Sequence, residues 1–136
     1  MMSSSTIFSL PVRVYFQDTD AGGVVYHASY LNFMERARTE WLRSHGYSNA
    51  GLMKEFGMVF VVRSLKLEYL KPALLDDLLD VTAQIDNIGR SSIALLQTLR
   101  RGDELLTEAE VHLVCVSLEN FKPVSVPELL RNQLKI

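Results

Sequence analysis

The chain has 136 residues, of which 48% are hydrophobic and 22% charged, and its formal net charge is -2 at pH 7. This balance excludes a disordered chain, and the charge provides no basic footprint for nucleic acid. The length suits one domain with a core of its own and is short of two. We therefore expect a single domain over residues 1–136, with residues 1–6, MMSSST, as a frayed end.

The features of the sequence that report on location all favour the cytoplasm. Cys115 is the only cysteine, so no internal disulfide can form, which fits a reducing compartment. The first residues lack the cationic segment and the apolar run of a secretory signal. No window approaches eighteen apolar residues, so we expect no integral membrane segment. The sequence predicts a cytoplasmic protein.

The first half of the chain predicts one strand and two helices. Residues 11–17 alternate apolar and polar side chains, as a half-buried strand does. From about residue 28 to 45 the period is helical, and Gly46 provides a C-terminal stop. Residues 49–56 predict a short second helix that ends near Gly57. One apolar stripe follows the long helix at steps of four, three and four: Tyr30, Met34, Ala37 and Trp41.

The second half predicts four antiparallel strands, at 59–70, 78–88, 91–101 and 104–117, and a short helix from Pro127. The alternation of apolar residues predicts which side chains share a face of the sheet. In the first of these strands they are Val59, Val61, Leu65, Leu67 and Tyr69. In the strand at 78–88 they are Leu79, Val81, Ala83 and Ile85. In the last strand they are Leu105, Ala109, Val111, Leu113 and Cys115.

This order of elements predicts an α+β fold. An antiparallel sheet of about five strands has one apolar face that needs a cover, and the single long amphipathic helix must supply it. We therefore expect the sheet to wrap around one central helix. A domain this small leaves sheet edges and a face uncovered, which favours dimerisation.

The densest set of reactive groups lies in the stretch YFQDTDAGGVVYHASYLNFMERAR, residues 15–38. Its acids Asp18 and Asp20 precede two glycines, as in a calcium loop, and Gly23 falls at the sixth position. The twelfth position is Ser29, where such a loop needs a bidentate glutamate, so the pattern argues against calcium. A transition-metal site of Asp18, Asp20 and His27 has no second ligand cluster to support it. We expect no metal.

Two interpretations of the acid pair remain open from the residues alone. In the first, Asp18 and Asp20 serve only to end a strand and bond the turn backbone. Alternatively, Gly22 and Gly23 permit a tight turn directly before a helix, whose first N–H groups carry about half a positive charge. A carboxylate beside such a helix end is a nucleophile or base next to an oxyanion site. Neither interpretation names a substrate.

The same stretch carries a family resemblance. RVYFQDTDAGGVVYHASYLNFMERAR, VVRSLKLEYLKPALLDDLLDV and FKPVSVP together resemble the 4-hydroxybenzoyl-CoA thioesterase group of hotdog-fold proteins, and more closely its YbgC branch of bacterial acyl-CoA thioesterases. The similarity covers essentially the whole chain. The residues that stand at the family's spacing are Arg13, Val14, Thr19, Asp20, Gly23, Val24, Val25, Tyr26, His27, Tyr30 and Glu35.

The resemblance implies a hotdog fold and the hydrolysis of an acyl-CoA thioester to a free acid and CoA. It implies that Asp20 is the catalytic carboxylate, acting as nucleophile or general base, and that the backbone N–H of His27 polarises the thioester carbonyl. Tyr26 and Gly23 are further candidates for positioning the substrate, with packing beside the helix start as the alternative role of Tyr26. Asp18 is a candidate auxiliary acid that tunes or positions Asp20, or it simply caps the turn.

The resemblance further implies no cofactor and no metal. Arg90 and Ser91, in the segment GRSS, are its candidates for binding the CoA phosphates. It implies a homodimer or homotetramer, and an acyl carrier protein is a further candidate partner. Two alternatives stay open: a non-catalytic hotdog protein that binds acyl carrier protein or acts as a scaffold, and a hotdog enoyl-thioester hydratase or dehydratase that uses His27 with an acid.

Three other reactive side chains are predicted to have structural or surface roles. Glu35 lies on the long helix, and we expect it to be salt-linked to Arg38 or Arg13. Cys115 shares the apolar face of its strand and is expected to be buried rather than nucleophilic. His112, on the polar side of the same strand, is expected at the surface or in an interface.

Overall fold

The computed structural model describes residues 6–134. The frayed end predicted for residues 1–6 therefore lies outside the described residues except for Thr6, which belongs to no helix or strand. The five strands form one antiparallel sheet in the order β1-β3-β4-β5-β2. The elements are β1 (Phe8–Arg13), α1 (His27–Ser44), α2 (Asn49–Phe56), β2 (Met58–Tyr69), β3 (Leu78–Ile88), β4 (Ser92–Arg101), β5 (Glu104–Ser117) and α3 (Glu128–Leu134).

The core lies between α1 and one face of the sheet, where α1 packs on β3 and β1. The predicted apolar stripe is confirmed, because all four of its side chains are buried: Tyr30, Met34, Ala37 and Trp41. Phe33 and Leu42 widen the stripe and are buried too. Burial of a large side chain such as Phe33, Met34 or Leu42 contributes roughly 1.5–3 kcal/mol. Beyond the end of α1, Gly46 has φ 90, a left-handed conformation that suits glycine, as the predicted stop requires.

The first strand lies earlier than predicted. The alternation of residues 11–17 predicted a strand there, whereas β1 covers Phe8–Arg13 and a single 3-10 turn follows at Phe16–Asp18. Asp18 is the physical reason: its Oδ2 accepts a hydrogen bond from the N–H of Tyr15 at 2.8 Å. A local side-chain bond of this kind offers the backbone an alternative to the ladder, so the prediction for the last four residues was wrong.

The face prediction for the strand at 59–70 was wrong at its start. Phe60 pairs with Cys115, and Leu65 pairs with Val111, both of which are buried. The two pairs are five residues apart on β2 but only four apart on β5, so β2 contains one extra residue between them. The register shift lies between Val62 and Ser64. One extra residue flips every side chain before it to the opposite face. Val59 and Val61 therefore lie on the face opposite to Leu65, Leu67 and Tyr69.

A second register shift corrects the prediction for Leu105. Leu99 pairs with Thr107, but its neighbour Arg100 pairs with Leu105, so Leu106 is the extra residue on β5. Leu106 is fully buried and Leu105 only half-buried, on the face of Arg100 rather than that of Ala109. The alternation in β3 has no such interruption in its first half, and Leu79, Val81 and Ala83 are buried as predicted.

A polar network joins the middle of α1 to the sheet. Gln97 of β4 is 0% exposed, and its Nε2 donates to the carbonyl of Met34 at 3.1 Å and to that of Thr82 at 3.2 Å. Its Oε1 accepts from Nη1 of Arg38 at 2.9 Å. Burial lowers the pKa of Arg38, and the charge of Glu35 opposes that shift. The salt link predicted for Glu35 is not found: the ion pairs within residues 6–134 do not include it.

The last helix, α3, confirms the helix predicted from Pro127, although residues 135 and 136 lie outside the described range. Leu130 and Leu134 are buried, and Nη2 of Arg131 donates to the carbonyls of Gly89 and Arg90. The helix is thereby tied to the β3–β4 turn. Within residues 6–134, none of the helices is long and apolar enough to cross a membrane.

Candidate active site

Asp20 begins a tight turn in front of α1. The N–H of Gly23 donates to the carbonyl of Asp20 at 3.1 Å, and the N–H of Asp20 donates to that of Val24 at 3.0 Å. Gly23 has φ 76, a left-handed backbone that glycine adopts without strain. The Oδ1 atom of Asp20 accepts from the N–H of Gly22 at 2.9 Å, which fixes the carboxylate on the turn. Its Oδ2 has no partner among residues 6–134, so one oxygen of an exposed carboxylate is free for chemistry.

Asp18 has different surroundings from Asp20. It is 9% exposed, and its carboxylate bonds the N–H of Tyr15. Its carbonyl accepts from the N–H of Tyr26 at 2.9 Å, directly before α1. In the described part of the chain no hydrogen bond joins the two carboxylates. Asp18 thus holds together the 3-10 turn and the start of the helix.

The N-terminus of α1 presents a free backbone donor. The helix begins at His27, and its N-cap residue, Tyr26, makes no side-chain cap. The N–H of Ser29 donates to the carbonyl of Tyr26, whereas that of His27 has no acceptor among residues 6–134. Unpaired N–H groups at a helix start, together with the helix dipole, stabilise negative charge. The N–H of His27 is therefore available to a negatively charged group, and its role as an oxyanion donor stays a prediction.

A cleft of about 250 Å³ opens beside this helix end. The ring of Tyr69 from β2 meets the imidazole of His27 edge to face at 5.4 Å, and the ring of Tyr30 at 5.0 Å. Asp20 does not line the cleft, but Val24, whose carbonyl accepts from Asp20, does. The lining residues are Val24, Val25, His27, Tyr30, Tyr69, Leu70, Lys71 and Pro72.

Sequence reasoning missed Tyr69 and Lys71 as members of this site. Tyr69 was assigned to the apolar face of a strand, and Lys71 follows that strand without a motif of its own. Burial raises the pKa of Tyr69, and Tyr30 adds to the effect. Its hydroxyl donates to the carbonyl of His27 at 3.4 Å. Only the pairing of β2 with β5 brings this ring to the helix start.

The predicted CoA-binding residues lie on another element. Arg90 and Ser91 form part of the turn between β3 and β4. Nε of Arg90 donates to Oγ of Ser125 at 3.0 Å, and the carbonyl of Ser91 accepts from the N–H of Cys115 at 2.7 Å. Arg90 is exposed, so its charge is open to an anion. Asp20 and Gly23 thus lie on the turn and Tyr26 and His27 at the helix start that follows it, whereas Arg90 and Ser91 lie on the β3–β4 turn.

The arrangement of ligating side chains provides no metal site in the described range. Within residues 6–134, no three His, Cys, Asp or Glu side chains lie close enough together to hold a metal ion. The set of Asp18, Asp20 and His27 is thus not assembled as a ligand cluster.

Cys115 is expected to be unreactive in the native protein. It is buried, and burial raises the pKa of its thiol to about 11. A free cysteine has a pKa near 8.5, so the fraction of Cys115 present as thiolate at neutral pH is lower than that of a free cysteine by about 100-fold or more. We expect 5,5′-dithiobis(2-nitrobenzoic acid) to label the native chain at least about 100-fold more slowly than the urea-unfolded chain. Rapid labelling of the native chain would contradict a structural role.

Comparison with known proteins identifies relatives over nearly the whole chain. The model of the Thioesterase superfamily matches residues 22–108, a range that begins just after Asp20. The protein named acyl-CoA thioester hydrolase YbgC from Escherichia coli O6:H1 is 47% identical over 133 residues, which are 97% of this chain and 98% of the relative. The acyl-CoA thioesterase YbgC of Haemophilus influenzae is 47% identical over 121 residues, 89% of each chain.

The fold also matches solved structures. A probable thioesterase from Bartonella henselae has a TM-score of 0.86 and 35% sequence identity, and the match covers 90% of this chain and 100% of that one. A protein from Aquifex aeolicus matches with a TM-score of 0.87 and 31% identity over 94% of this chain and 99% of that one. The five-stranded antiparallel sheet with its long helix is thus an architecture shared with thioesterases.

Proposed function

The chain belongs to the Thioesterase superfamily and is a thioesterase of the hotdog fold, and from that premise we propose that it hydrolyses an acyl-CoA to a free carboxylic acid and CoA. The names of the relatives that are 47% identical support this substrate class. The observation that carries the proposal is the Asp20 carboxylate, with one oxygen unpaired among residues 6–134, at a turn that leads directly into a helix start with a free N–H.

Asp20 acts on the thioester carbonyl in one of two ways. As a nucleophile, its free oxygen attacks the carbonyl carbon, the CoA thiolate leaves, and water then hydrolyses the acyl–aspartyl anhydride to the acid and the original carboxylate. As a general base, it takes a proton from a water molecule whose oxygen attacks the same carbon, and the departing thiolate receives that proton. Both routes require an ionised Asp20 held by the N–H of Gly22.

The start of α1 stabilises the negative charge that either route creates. The carbonyl oxygen gains charge as the tetrahedral intermediate forms, and the backbone N–H of His27 donates to it. Gly23 allows the turn that brings the carboxylate near this donor, and Tyr26 flanks the reacting group as the N-cap residue. Asp18 has an auxiliary role, because its two backbone contacts hold Tyr15 and Tyr26 on either side of the acid.

Arg90 and Ser91 are proposed to bind the phosphates of CoA. The Arg90 guanidinium is exposed, and the bond to Ser125 leaves its other N–H groups available to an anion. The bonds that Arg131 and Cys115 make to the same turn keep it ordered. No cofactor enters this chemistry.

We propose that the chain works as a homodimer or homotetramer. The 12 residues of β2 form one edge of the sheet, where Val61 and Val62 are exposed. An open edge of this length presents unpaired N–H and C=O groups for a strand of a second copy. Sedimentation equilibrium measures the mass: a monomer at micromolar concentration would refute this part of the proposal.

The experiment that tests the function is a panel of acyl-CoA thioesters, aliphatic and aromatic and of different lengths, assayed by the release of free thiol. We expect turnover of at least one member with equimolar acid and CoA as products. An enoyl-CoA in the same panel tests for hydration instead of hydrolysis, by loss of the conjugated double bond. Acyl–acyl carrier protein tests the second candidate acyl donor: binding without thiol release from any thioester would favour a scaffold.

A further inference from the structure

The segment 71–77 lies between the turn that carries Asp20 and the hairpin that joins β4 to β5. We propose that Arg101, at the end of β4, is a positioning residue that anchors this segment and, through it, the Asp20 turn. The inference rests on the proposed role of Asp20. Arg101 does not itself line the cleft and makes no hydrogen bond to the turn, so its effect must pass through the segment, whose Lys71 and Pro72 do line the cleft.

On one side, the segment bonds three consecutive residues between Asp20 and α1. The N–H of Leu75 donates to the carbonyl of Gly23 at 3.0 Å, and the N–H of Val25 donates to that of Ala73 at 2.9 Å. Val24 forms an antiparallel bridge with the residue between them, Leu74. These contacts determine where the turn stands relative to the rest of the sheet.

The same segment also holds the helix. The N–H of Ala73 donates to the hydroxyl of Tyr30, one turn into α1, at 3.0 Å, and Ala73 is fully buried. The turn that carries the Asp20 carboxylate and the helix that begins with the His27 N–H are thus both bonded to one short stretch of backbone. These are the two groups proposed to act on one carbonyl group. A shift of that stretch moves the Asp20 turn and the helix start relative to each other.

On the other side, Arg101 fastens the segment to the hairpin. Nη1 of Arg101 donates to Oδ2 of Asp77 at 2.7 Å and to the carbonyl of Pro72 at 3.4 Å, near the two ends of the segment. Nη2 donates to Oε1 of Glu104 at 2.7 Å, which orients the guanidinium. Oδ2 of Asp77 also accepts from the N–H of Leu74, the residue that bridges to Val24. The fork of the guanidinium suits several acceptors at once.

The backbone of the segment needs such an anchor. Asp76 has φ 70, a left-handed conformation that residues other than glycine rarely adopt. The N–H of Asp76 donates to the carbonyl of Val14, and the side chain of Arg13 donates to the carbonyl of Asp76. A strained residue persists only where its neighbours fix it. Loss of the Arg101 bond to Asp77 removes one of those constraints directly beside the strained position.

The test compares Arg101→Gln with a matched control, Arg43→Gln. Arg43 also pairs with a glutamate three residues away, Glu40, but on the exposed surface of α1 and remote from segment 71–77. Because displacements near 1 Å cost about 100-fold in rate, we expect kcat of Arg101→Gln for a substrate of the panel to fall by about 10-fold or more. KM should change by less than about threefold, since the phosphate contacts of CoA lie elsewhere. Arg101→Lys keeps the charge but not the forked guanidinium, so its kcat should lie between those of the wild type and Arg101→Gln.

Amide hydrogen exchange provides a readout that does not depend on the chemistry. The N–H groups of Val25 and Leu75 should exchange at least about 10-fold faster in Arg101→Gln, at a temperature where the variant is fully folded, and at the wild-type rate in Arg43→Gln. Unchanged exchange at these groups, or a kcat equal to that of the control, would overturn the inference. If Asp20→Asn kept full activity while exchange in Arg101→Gln rose, the proposed role of Asp20 would fail, whereas the anchoring of the segment by Arg101 would stand.

Discussion

Asp20→Asn is expected to lower kcat for the best acyl-CoA by about 1,000-fold, because both routes of hydrolysis need an ionised carboxylate. Asparagine has nearly the same shape, and its Oδ1 can still accept the hydrogen bond from the N–H of Gly22, so the turn should persist. The amide can neither attack the carbonyl nor take a proton. The measurement is free-thiol release at saturating substrate, with circular dichroism and thermal unfolding to verify the fold.

The matched control is Asp18→Asn, two residues earlier. Asp18 uses its carboxylate as an acceptor for the N–H of Tyr15, a bond that an asparagine carbonyl can replace. We expect a loss of less than about 10-fold in kcat, because only the charge next to the turn is removed. A folded Asp20→Asn enzyme with wild-type turnover would refute the assignment. The reverse order, with Asp18→Asn the more severe change, would move the chemistry to Asp18.

The parts of the fold that follow a regular period could be predicted from the sequence. The stripe of α1 repeats at helical spacing, and the residues that pattern places toward the sheet, such as Met34 and Trp41, are buried. Alternation in β3 placed Leu79 and Val81 in the core. A periodic pattern reports burial because only one face of each element meets the core.

The interruptions of the period could not be predicted. The extra residues in β2 and β5 change the face of Val59, Val61 and Leu105, and nothing in the local sequence marks them. The early end of β1 depends on a side-chain bond from Asp18 that competes with strand pairing. A bulge or a local cap is decided by the partner strand and the neighbouring backbone, which a single sequence does not show.

In the candidate site, too, some residues could be predicted from the local sequence and others depend on long-range geometry. The contiguous residues from Asp20 to His27 could be proposed because their stretch resembles a family motif, since the turn and the helix start alone left the role of the two acids open. Tyr69 reaches the site only through the pairing of β2 with β5, and Arg101 acts through a segment that lies apart from it in the chain. Long-range geometry of this kind leaves no local pattern, so both residues emerged from the structure alone.

Gln97 shows how the sheet tolerates a polar residue on its core face. It continues the inward row of Ile93 and Leu95 on β4, and it is fully buried. Beside it, Oγ of Thr82 accepts from the N–H of Thr98 at 2.9 Å. Side chains thus replace ladder bonds between β3 and β4, and the Gln97 amide occupies the space between this point and α1.

Replacing Gln97 by Met, a side chain of nearly the same volume, should therefore destabilise the fold strongly. The change leaves Nη1 of Arg38 and the carbonyl of Thr82 without the partners they have in this network. Unpaired buried polar groups cost about 1–3 kcal/mol each, and more when charged, so we expect the free energy of unfolding to fall by about 3 kcal/mol. Urea denaturation monitored by Trp41 fluorescence measures it.

The control for this change is Leu96→Met, the next residue along β4, which is 36% exposed on the opposite face and should alter stability by less than about 0.5 kcal/mol. The double variant Arg38→Met with Gln97→Met separates the causes. If the unpaired guanidinium accounts for most of the loss, removing it as well should recover part of the stability, since deleting both partners costs less than orphaning one. A Gln97→Met protein as stable as the wild type would show that water or a repacked Arg38 satisfies the network, and that the amide does not tie α1 to the sheet.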